Sequence, residues 1–390
     1  MDTCRVPEVI ETGAPAIGEE RRTSPVELLW DLVYVFAITQ VTTLLSRHPT
    51  WTRFGEAMLV LALIWWAWSA FVWVANAQRA AGTALRGSLL LATMFIFVTG
   101  LAIPGAFGAE STLFAVTYAV VRLIHLGLYI DAARQGNAAR SAIAGFSLTS
   151  VIGMALLIGG SFTTGSARAV LWTVAVLIDY SGPLLTRDRL RSLQRVAIAH
   201  FAERYSLFVI ICLGESIVAI GVGASPHRLD AALIAAVSLG LLITVGLWWM
   251  YFDRFAASAE AALREHHDPV LAASDAFSYL HLVLVAGIIV FAVGARLAVR
   301  AADHPLHDAA RLALCGGVAM YLAGQLAFRA RLLGAIQYWL LPLLGAFLLL
   351  YAVGASFPAW AMAGAIAALL AVLCAGEAVT RPRHSAVVTR

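Results

Sequence analysis

The sequence predicts an all-α fold, a polytopic integral membrane helix bundle of about 12 transmembrane helices arranged as two parallel six-helix repeats. Hydrophobic residues make up 61% of the 390 residues and charged residues only 13%, and the mean hydropathy is +0.83. A soluble domain of this length needs more polar surface than this composition supplies. The apolar residues also recur in runs of about 20, the length of helix that crosses a hydrocarbon core about 30 Å thick.

Each run is predicted to be a helix, because an open backbone in lipid would leave its polar groups without hydrogen bonds. The first 25 residues contain no apolar stretch before Val26, so we expect no cleavable signal peptide. The twelve runs are approximately 26–46, 54–77, 85–107, 111–130, 142–162, 168–186, 204–222, 229–251, 277–299, 308–330, 336–354 and 359–377.

The basic residues predict the orientation of the chain. All 27 are Arg, and 19 of them fall on the cytoplasmic side if the N-terminus is cytoplasmic. Short loops rich in Arg remain on that side, so both termini are expected to be cytoplasmic. The pI near 9.0 is therefore a signal of topology and does not indicate a nucleic-acid partner.

A weak similarity between the two halves predicts a duplication, which is common in transporter folds. Glu27 and Glu203 hold equivalent places just before the membrane core of spans 1 and 7. Spans 2 and 8 each carry a Trp pair, Trp65–Trp66 and Trp248–Trp249. The predicted divisions are a cytoplasmic tail (1–25), a first six-helix repeat (26–186), an Arg-rich cytoplasmic linker (187–203), a second six-helix repeat (204–377) and a cytoplasmic tail (378–390).

Span 1 carries two acids near its cytoplasmic end, in the stretch VELLWDLVYVFAI. Glu27 and Asp31 are four residues apart, so they share one face of the helix. A charge at mid-membrane costs about 2.5–3.5 kcal/mol, so both acids are expected to face a neighbouring helix, with Glu27 able to reach the interface. Candidate partners for Asp31 are Arg122 and His125 in span 4 and His281 in span 9. A structural ion pair that fixes the helix register is the alternative to a functional role.

A third acid, Glu215, lies about eleven residues into span 7 and so near the bilayer centre, where its side chain cannot reach water. A buried carboxyl group without a cationic partner favours its protonated form. Glu215 is therefore a candidate proton carrier, and a neutral, hydrogen-bonded packing role is the alternative.

Several stretches resemble the bacterial low temperature requirement protein A family over nearly the whole chain: VELLWDLVYVFAITQV, HFAERYSLFVIICLGESIVAIG, the Trp pair of span 8, and YLHLVLVAGIIVFAVGARL. The resemblance implies a multi-pass protein of the bacterial cell (plasma) membrane, linked by name to growth in the cold and without an agreed molecular activity. Trp30 departs from the family, which usually has Phe before the Asp. The positions that match the family motifs are Glu27, Asp31, His200, Glu203, Arg204, Glu215 and His281.

Three classes of function remain open. In a transporter or channel, intramembrane acids and bases relay protons or bind a small cation or another small molecule. In an enzyme, the same carboxylates act on a lipid or isoprenoid, but the sequence lacks a paired diphosphate-binding Asp motif, a His-box set, Gly-x-Ser-x-Gly and a phosphate-cradling loop. In an accessory protein for growth in the cold, no mid-membrane acid is needed. Glu215 therefore favours transport, and whether the chain is an enzyme stays undecided.

The expected partners are membrane lipids and the transported species, and a homo-oligomer is possible. No cofactor, metal or nucleic acid is expected. Convergence of Asp31, Arg122, Glu215 and His281 on one cavity would support transport, whereas dispersal over separate helix contacts would weaken it. The residues predicted to form a proton, cation or substrate path are Glu27, Asp31, Arg122, His125, Glu203, Glu215 and His281.

Overall fold

The computed structural model describes residues 23–47, 49–77, 83–134, 140–187, 196–225, 227–334 and 337–379. Nearly all of both predicted tails, and residues 188–195 of the predicted Arg-rich linker, lie outside these ranges. Within them the chain forms helices and no strand. The helices are α1 (Pro25–Arg47), α2 (Trp51–Ala77), α3 (Thr83–Ala102), α4 (Ser111–Arg134), α5 (Arg140–Ser161), α6 (Gly165–Leu185), α7 (Ile198–Ala224), α8 (Ala231–Met250), α9 (Ala256–Glu265), α10 (Pro269–Ala273), α11 (His281–Arg300), α12 (Asp308–Leu333), α13 (Leu341–Val353) and α14 (Ala359–Val379).

The membrane spans follow the hydropathy pattern. Eleven helical segments of the described chain are long and apolar enough to cross a membrane, which confirms the predicted polytopic helix bundle. The predicted span 336–354 is shorter than expected, because its continuous apolar helix runs only from Leu341 to Ser356. Pro342 lies in the first turn of that helix, where the missing backbone N–H costs little.

Two π-helical segments interrupt the second half of the chain. Tyr251–Phe255 joins α8 to α9, and Ser274–Leu280 leads from α10 into α11. Helix α9 ends at Glu265, shortly before Pro269, which begins α10. Because π-helical turns accommodate an extra residue, they are common where a side chain must be re-aimed.

Helices α11 and α12 cross at backbone contact through glycines. A Cβ on Gly294 would overlap the backbone of Leu314, and one on Gly317 would overlap the backbone of Phe291. Two further glycines one heptad away, Gly287 and Gly324, are equally confined. Small residues at this spacing allow close approach of membrane helices, and the contact places α11 in the centre of the bundle.

The helix pairs of the two halves correspond. In the first half, α1 packs against α2 and α3, α3 against α4, α4 against α5, α5 against α6, and α2 against α6. The second half repeats each pair in the same order, with α7, α8, α11, α12, α13 and α14 in place of α1 to α6. The halves meet where α1 packs against α7 and α11. The correspondence supports the predicted six-plus-six repeat, which stays a prediction together with its domain boundaries.

Candidate functional site

A stripe of polar side chains runs along α1 and lies in its contacts with α7 and α11. Its members, three to eight residues apart, are Glu27, Asp31, Thr39, Thr42 and Ser46. From Glu27 to Ser46 the helix rises about 28 Å, at about 1.5 Å per residue, which is close to the thickness of a hydrocarbon core. We call these five residues the α1 stripe.

Both acids of the α1 stripe contact Arg204 of α7. Arg204 donates from Nη2 to Asp31 Oδ1 at 2.6 Å and from Nε to Asp31 Oδ2 at 3.1 Å. Its Nη1 lies 3.2 Å from Glu27 Oε1. All three side chains are at most 3% exposed. A two-point contact of this kind fixes the planar guanidinium against the carboxylate.

The remaining atoms of the acids are held by their neighbours. His200 Nε2 lies 3.3 Å from Glu27 Oε1, and Trp68 Nε1 donates to Asp31 Oδ1 at 2.8 Å. Glu27 Oε2 also accepts from the backbone N–H of Ser24 at 2.8 Å, the reciprocal bond of a helix capping box. Glu27 therefore helps to begin α1, and its side chain is buried against its protein neighbours.

The spacing of the acids on α1 has its counterpart on α7. His200 and Arg204 are four residues apart, as are Glu27 and Asp31, so two successive turns of α7 face two successive turns of α1. Arg204 matched the family motif but was not among the predicted path residues. The sequence did contain an indication of this role: His200 and Arg204 have the same four-residue spacing as Glu27 and Asp31.

The partners predicted for Asp31 were wrong. Arg122 of α4 is fully buried and pairs with Asp179 of α6, which accepts from Arg122 Nη2 at 2.8 Å. Ser150 of α5 accepts from the same nitrogen at 2.9 Å and donates to Asp179 at 2.6 Å. His125 packs among aromatic rings, with the centroid of Tyr129 4.8 Å away.

Glu215 lies further along the α1 stripe and is 2% exposed. Its Oε2 is 2.5 Å from the hydroxyl oxygen of Thr39, and Thr42 also hydrogen-bonds to it. No Arg or His nitrogen lies within ion-pair distance of its carboxyl group in the part of the chain that the structure describes. Arg296 of α11 acts on it only at longer range and donates to Ser46 at 3.2 Å.

His281 begins α11 and is enclosed by aromatic rings. Trp65 and Phe277 stack on its ring with interplanar angles of 8° and 11°. His281 directly follows the π-helical segment Ser274–Leu280. The hydroxyl oxygen of Tyr251, in the other π-helical segment, lies 3.4 Å from His281 Nε2. Trp65 and Trp73 of α2 donate their indole N–H groups to Ser278, and Trp68 donates to Asp31, so these side chains are packing and hydrogen-bonding groups.

The predicted path residues do not converge on one cavity. Glu27 and Asp31 share Arg204, whereas Glu215, Arg122 and His281 each occupy a separate contact. Glu203 is exposed on the surface of α7 and belongs to none of these contacts. This dispersal weakens the transport hypothesis in the form that the sequence suggested, and the polar residues that still share one helix face are those of the α1 stripe. Within the described ranges, no three His, Cys, Asp or Glu side chains are grouped closely enough to hold a metal ion.

Comparisons with known proteins agree over almost the whole length of the chain. The family described as "Bacterial low temperature requirement A protein (LtrA)" matches residues 22–375. The chain is also 31% identical to the uncharacterized protein RA0937 of Rhizobium meliloti (strain 1021) over 370 residues, which cover 91% of this chain and 89% of that protein. No solved structure matches.

Proposed function

The chain belongs to the bacterial low temperature requirement A family, and we propose that it is a membrane transport protein in which protons, or a small cation, pass along the α1 stripe. The proposal also takes the protein to lie in the bacterial plasma membrane with both termini cytoplasmic. The Glu27 end of the α1 stripe then faces the cytoplasm, and the Ser46 end faces the outside.

The observation that carries the proposal is the contact between Glu215 and Thr39. The Thr39 hydroxyl lies 3.0 Å from the carbonyl oxygen of Val35 and 2.5 Å from Glu215 Oε2. A threonine hydroxyl has one proton and cannot donate to both oxygens. A protonated Glu215 that donates to Thr39 Oγ1, while Thr39 donates to Val35, satisfies all three groups. Such a carboxyl group, buried without an ion-pair partner, is suited to taking up and releasing a proton.

The Asp31–Arg204 pair supports a gate at the cytoplasmic end. Asp31 and Thr39 are eight residues apart on α1, which is a rise of about 12 Å. Tyr34 and Phe208 pack between them, with ring centroids 6.3 Å apart. This pair of aromatic rings separates Asp31 from Thr39, so in our proposal a proton passes only after α1 and α7 separate or water enters between them.

Reconstituted vesicles carrying a pH reporter test the proposal. The parent protein is expected to move protons down an imposed gradient, or to couple proton movement to Na⁺ or K⁺. Glu215→Gln keeps the volume and hydrogen bonds of the side chain but removes the exchangeable proton, so it should abolish the flux while the protein folds normally. Glu203→Gln, an exposed change on the same helix, is the matched control and should leave the flux intact.

Two outcomes contradict the proposal. One is the absence of any flux of H⁺, Na⁺ or K⁺ for the parent under every gradient. The other is full rescue of a cold-sensitive deletion host by Glu215→Gln. Either result places the accessory function first, and a comparison of lipid extracts from parent and deletion hosts would then test the intramembrane enzyme.

A further inference from the structure

A second set of buried polar side chains is contributed by α1 and α4. Tyr34 of α1 and Tyr118 and Arg122 of α4 are 0%, 2% and 0% exposed. Tyr118 and Arg122 are four residues apart and so occupy the same face of α4. Tyr34 interacts electrostatically with both of them. We call these three side chains the α1–α4 cluster.

The α1–α4 cluster contains polar atoms that bind nothing else in the described ranges. The Tyr34 and Tyr118 hydroxyls and the Nε and Nη1 atoms of Arg122 have no hydrogen-bond partner there. One turn before Tyr34, the indole N–H of Trp30 is also without a partner among the described residues. Buried polar groups are almost always hydrogen-bonded, so this concentration of unpaired groups is suited to a small bound ligand.

The unpaired atoms are nearly all donors. Nε and Nη1 of Arg122 carry three N–H groups, the indole of Trp30 carries one, and the two phenols carry one O–H each. The nearby carboxylates are already engaged, since Arg204 holds Asp31 and Arg122 itself holds Asp179. A ligand for this set must therefore accept hydrogen bonds without needing to donate any.

We infer that the α1–α4 cluster is a binding site for a small monovalent inorganic anion, a halide or nitrate. An anion accepts from several donors at once, whereas a cation would meet only hydrogen-bond donors at these unpaired atoms. Burial of all three side chains favours an ion of few atoms over an organic acid. The inference goes beyond the proposed proton path and stands whether or not protons move along the α1 stripe.

The first experiment measures the thermal unfolding of the full-length protein in detergent at fixed pH and ionic strength. Gluconate is replaced stepwise by chloride, bromide or nitrate. Because a ligand that binds only the folded state raises Tm in a saturable way, the parent should show a saturable rise with each small anion. A parent whose Tm is independent of the anion overturns the inference.

Two conservative variants locate the site. Tyr34→Phe and Tyr118→Phe each remove one hydroxyl donor without opening a cavity, and each should weaken the anion effect about tenfold, as expected for a lost hydrogen bond to a charge. Tyr338→Phe, at a side chain that is 69% exposed, is the matched control and should behave as the parent. An anion effect that is unchanged in both variants assigns it to another site and overturns the inference.

A crystal grown in bromide gives a direct measurement. Anomalous scattering should place a bromide ion within hydrogen-bond distance of Tyr118 and Arg122. A bromide found only elsewhere on the protein overturns the assignment. None of these measurements uses a proton flux, so failure of the anion site and failure of the proposed transport function are distinguishable.

Discussion

Arg204 of α7 holds Asp31 of α1 through two nitrogen atoms, at 2.6 and 3.1 Å, and both side chains are almost completely buried. The pair joins the first helix of one predicted repeat to the first helix of the other. Two charges buried together are costly to separate, because each would remain without compensation in a medium of low dielectric constant. The contact therefore fixes the register of α1 against α7, whether or not it also opens during transport.

Asp31→Asn should destabilise the protein by about 3–5 kcal/mol, as for other buried ion pairs that lose one partner. Thermal or denaturant unfolding in detergent measures the change. The control Asp308→Asn also breaks an Asp–Arg ion pair, with Arg311, but the Asp308 side chain is 85% exposed. It should cost no more than about 1 kcal/mol. Equal, small losses for the two variants would mean that Asp31 faces a water-filled cleft.

Glu27→Gln should be nearly as costly as Asp31→Asn. The carboxyl group of Glu27 is 1% exposed and contacts Arg204, His200 and the backbone N–H of Ser24. The same unfolding measurement checks this expectation. A loss as small as that of Asp308→Asn would indicate that water reaches Glu27 in solution.

Gly317→Ala should destabilise the protein strongly, because the added methyl group would overlap the backbone of α11 and force the two helices apart. We expect a loss of about 1–3 kcal/mol or more, as for overpacked cores. Gly316→Ala is the neighbouring control, since its Cβ would meet only Leu312 at ordinary contact distance, 3.5 Å. Similar melting temperatures for the two variants would show that α11 and α12 are not in backbone contact.

Thr39→Val should impair proton flux, whereas Thr39→Ser should retain it. Valine keeps the shape of threonine but removes the oxygen that lies 2.5 Å from Glu215, and serine restores that oxygen. The vesicle assay with a pH reporter measures both variants. Thr173→Val on the exposed surface of α6 controls for the loss of a hydroxyl group. Equal proton fluxes for Thr39→Val and Thr39→Ser would mean that the Thr39 hydroxyl is not needed for proton transport.

Reporter fusions after Arg195 and after Arg383 should both report the cytoplasm. The Arg asymmetry predicts this result, and it requires an even number of crossings between the two fusion sites. The short segment Leu341–Ser356 must then cross the membrane, although it has fewer residues than the other spans. Reports from opposite sides would mean that this segment does not cross, and the six-plus-six repeat would be wrong.

The sequence was sufficient for the helices and insufficient for the partners of their charges. Runs of apolar residues predict spans because the bilayer sets their length, and a mid-membrane acid such as Glu215 stands out against them. The choice between Arg122 and Arg204 as the partner of Asp31 depends on which helices touch and at what rotation. Hydropathy carries no information on either, because both Arg residues lie in or beside apolar runs.

The same limit explains two other differences. Glu203 and Arg204 are adjacent in sequence, so a motif cannot show which of them points inward; the helix rotation places Arg204 inside and Glu203 outside. Asp179 gave no clear signal because it lies close to the end of its span. Its pairing with Arg122 becomes evident only from the packing of α4 against α5 and of α5 against α6.

The glycine crossing of α11 and α12 has a consequence for temperature. Two backbones in direct contact attract each other by dispersion and give up almost no side-chain rotamer freedom when they associate. Association driven by the release of water weakens on cooling, and this crossing does not depend on it. The α11–α12 pair should therefore keep its spacing as the temperature falls.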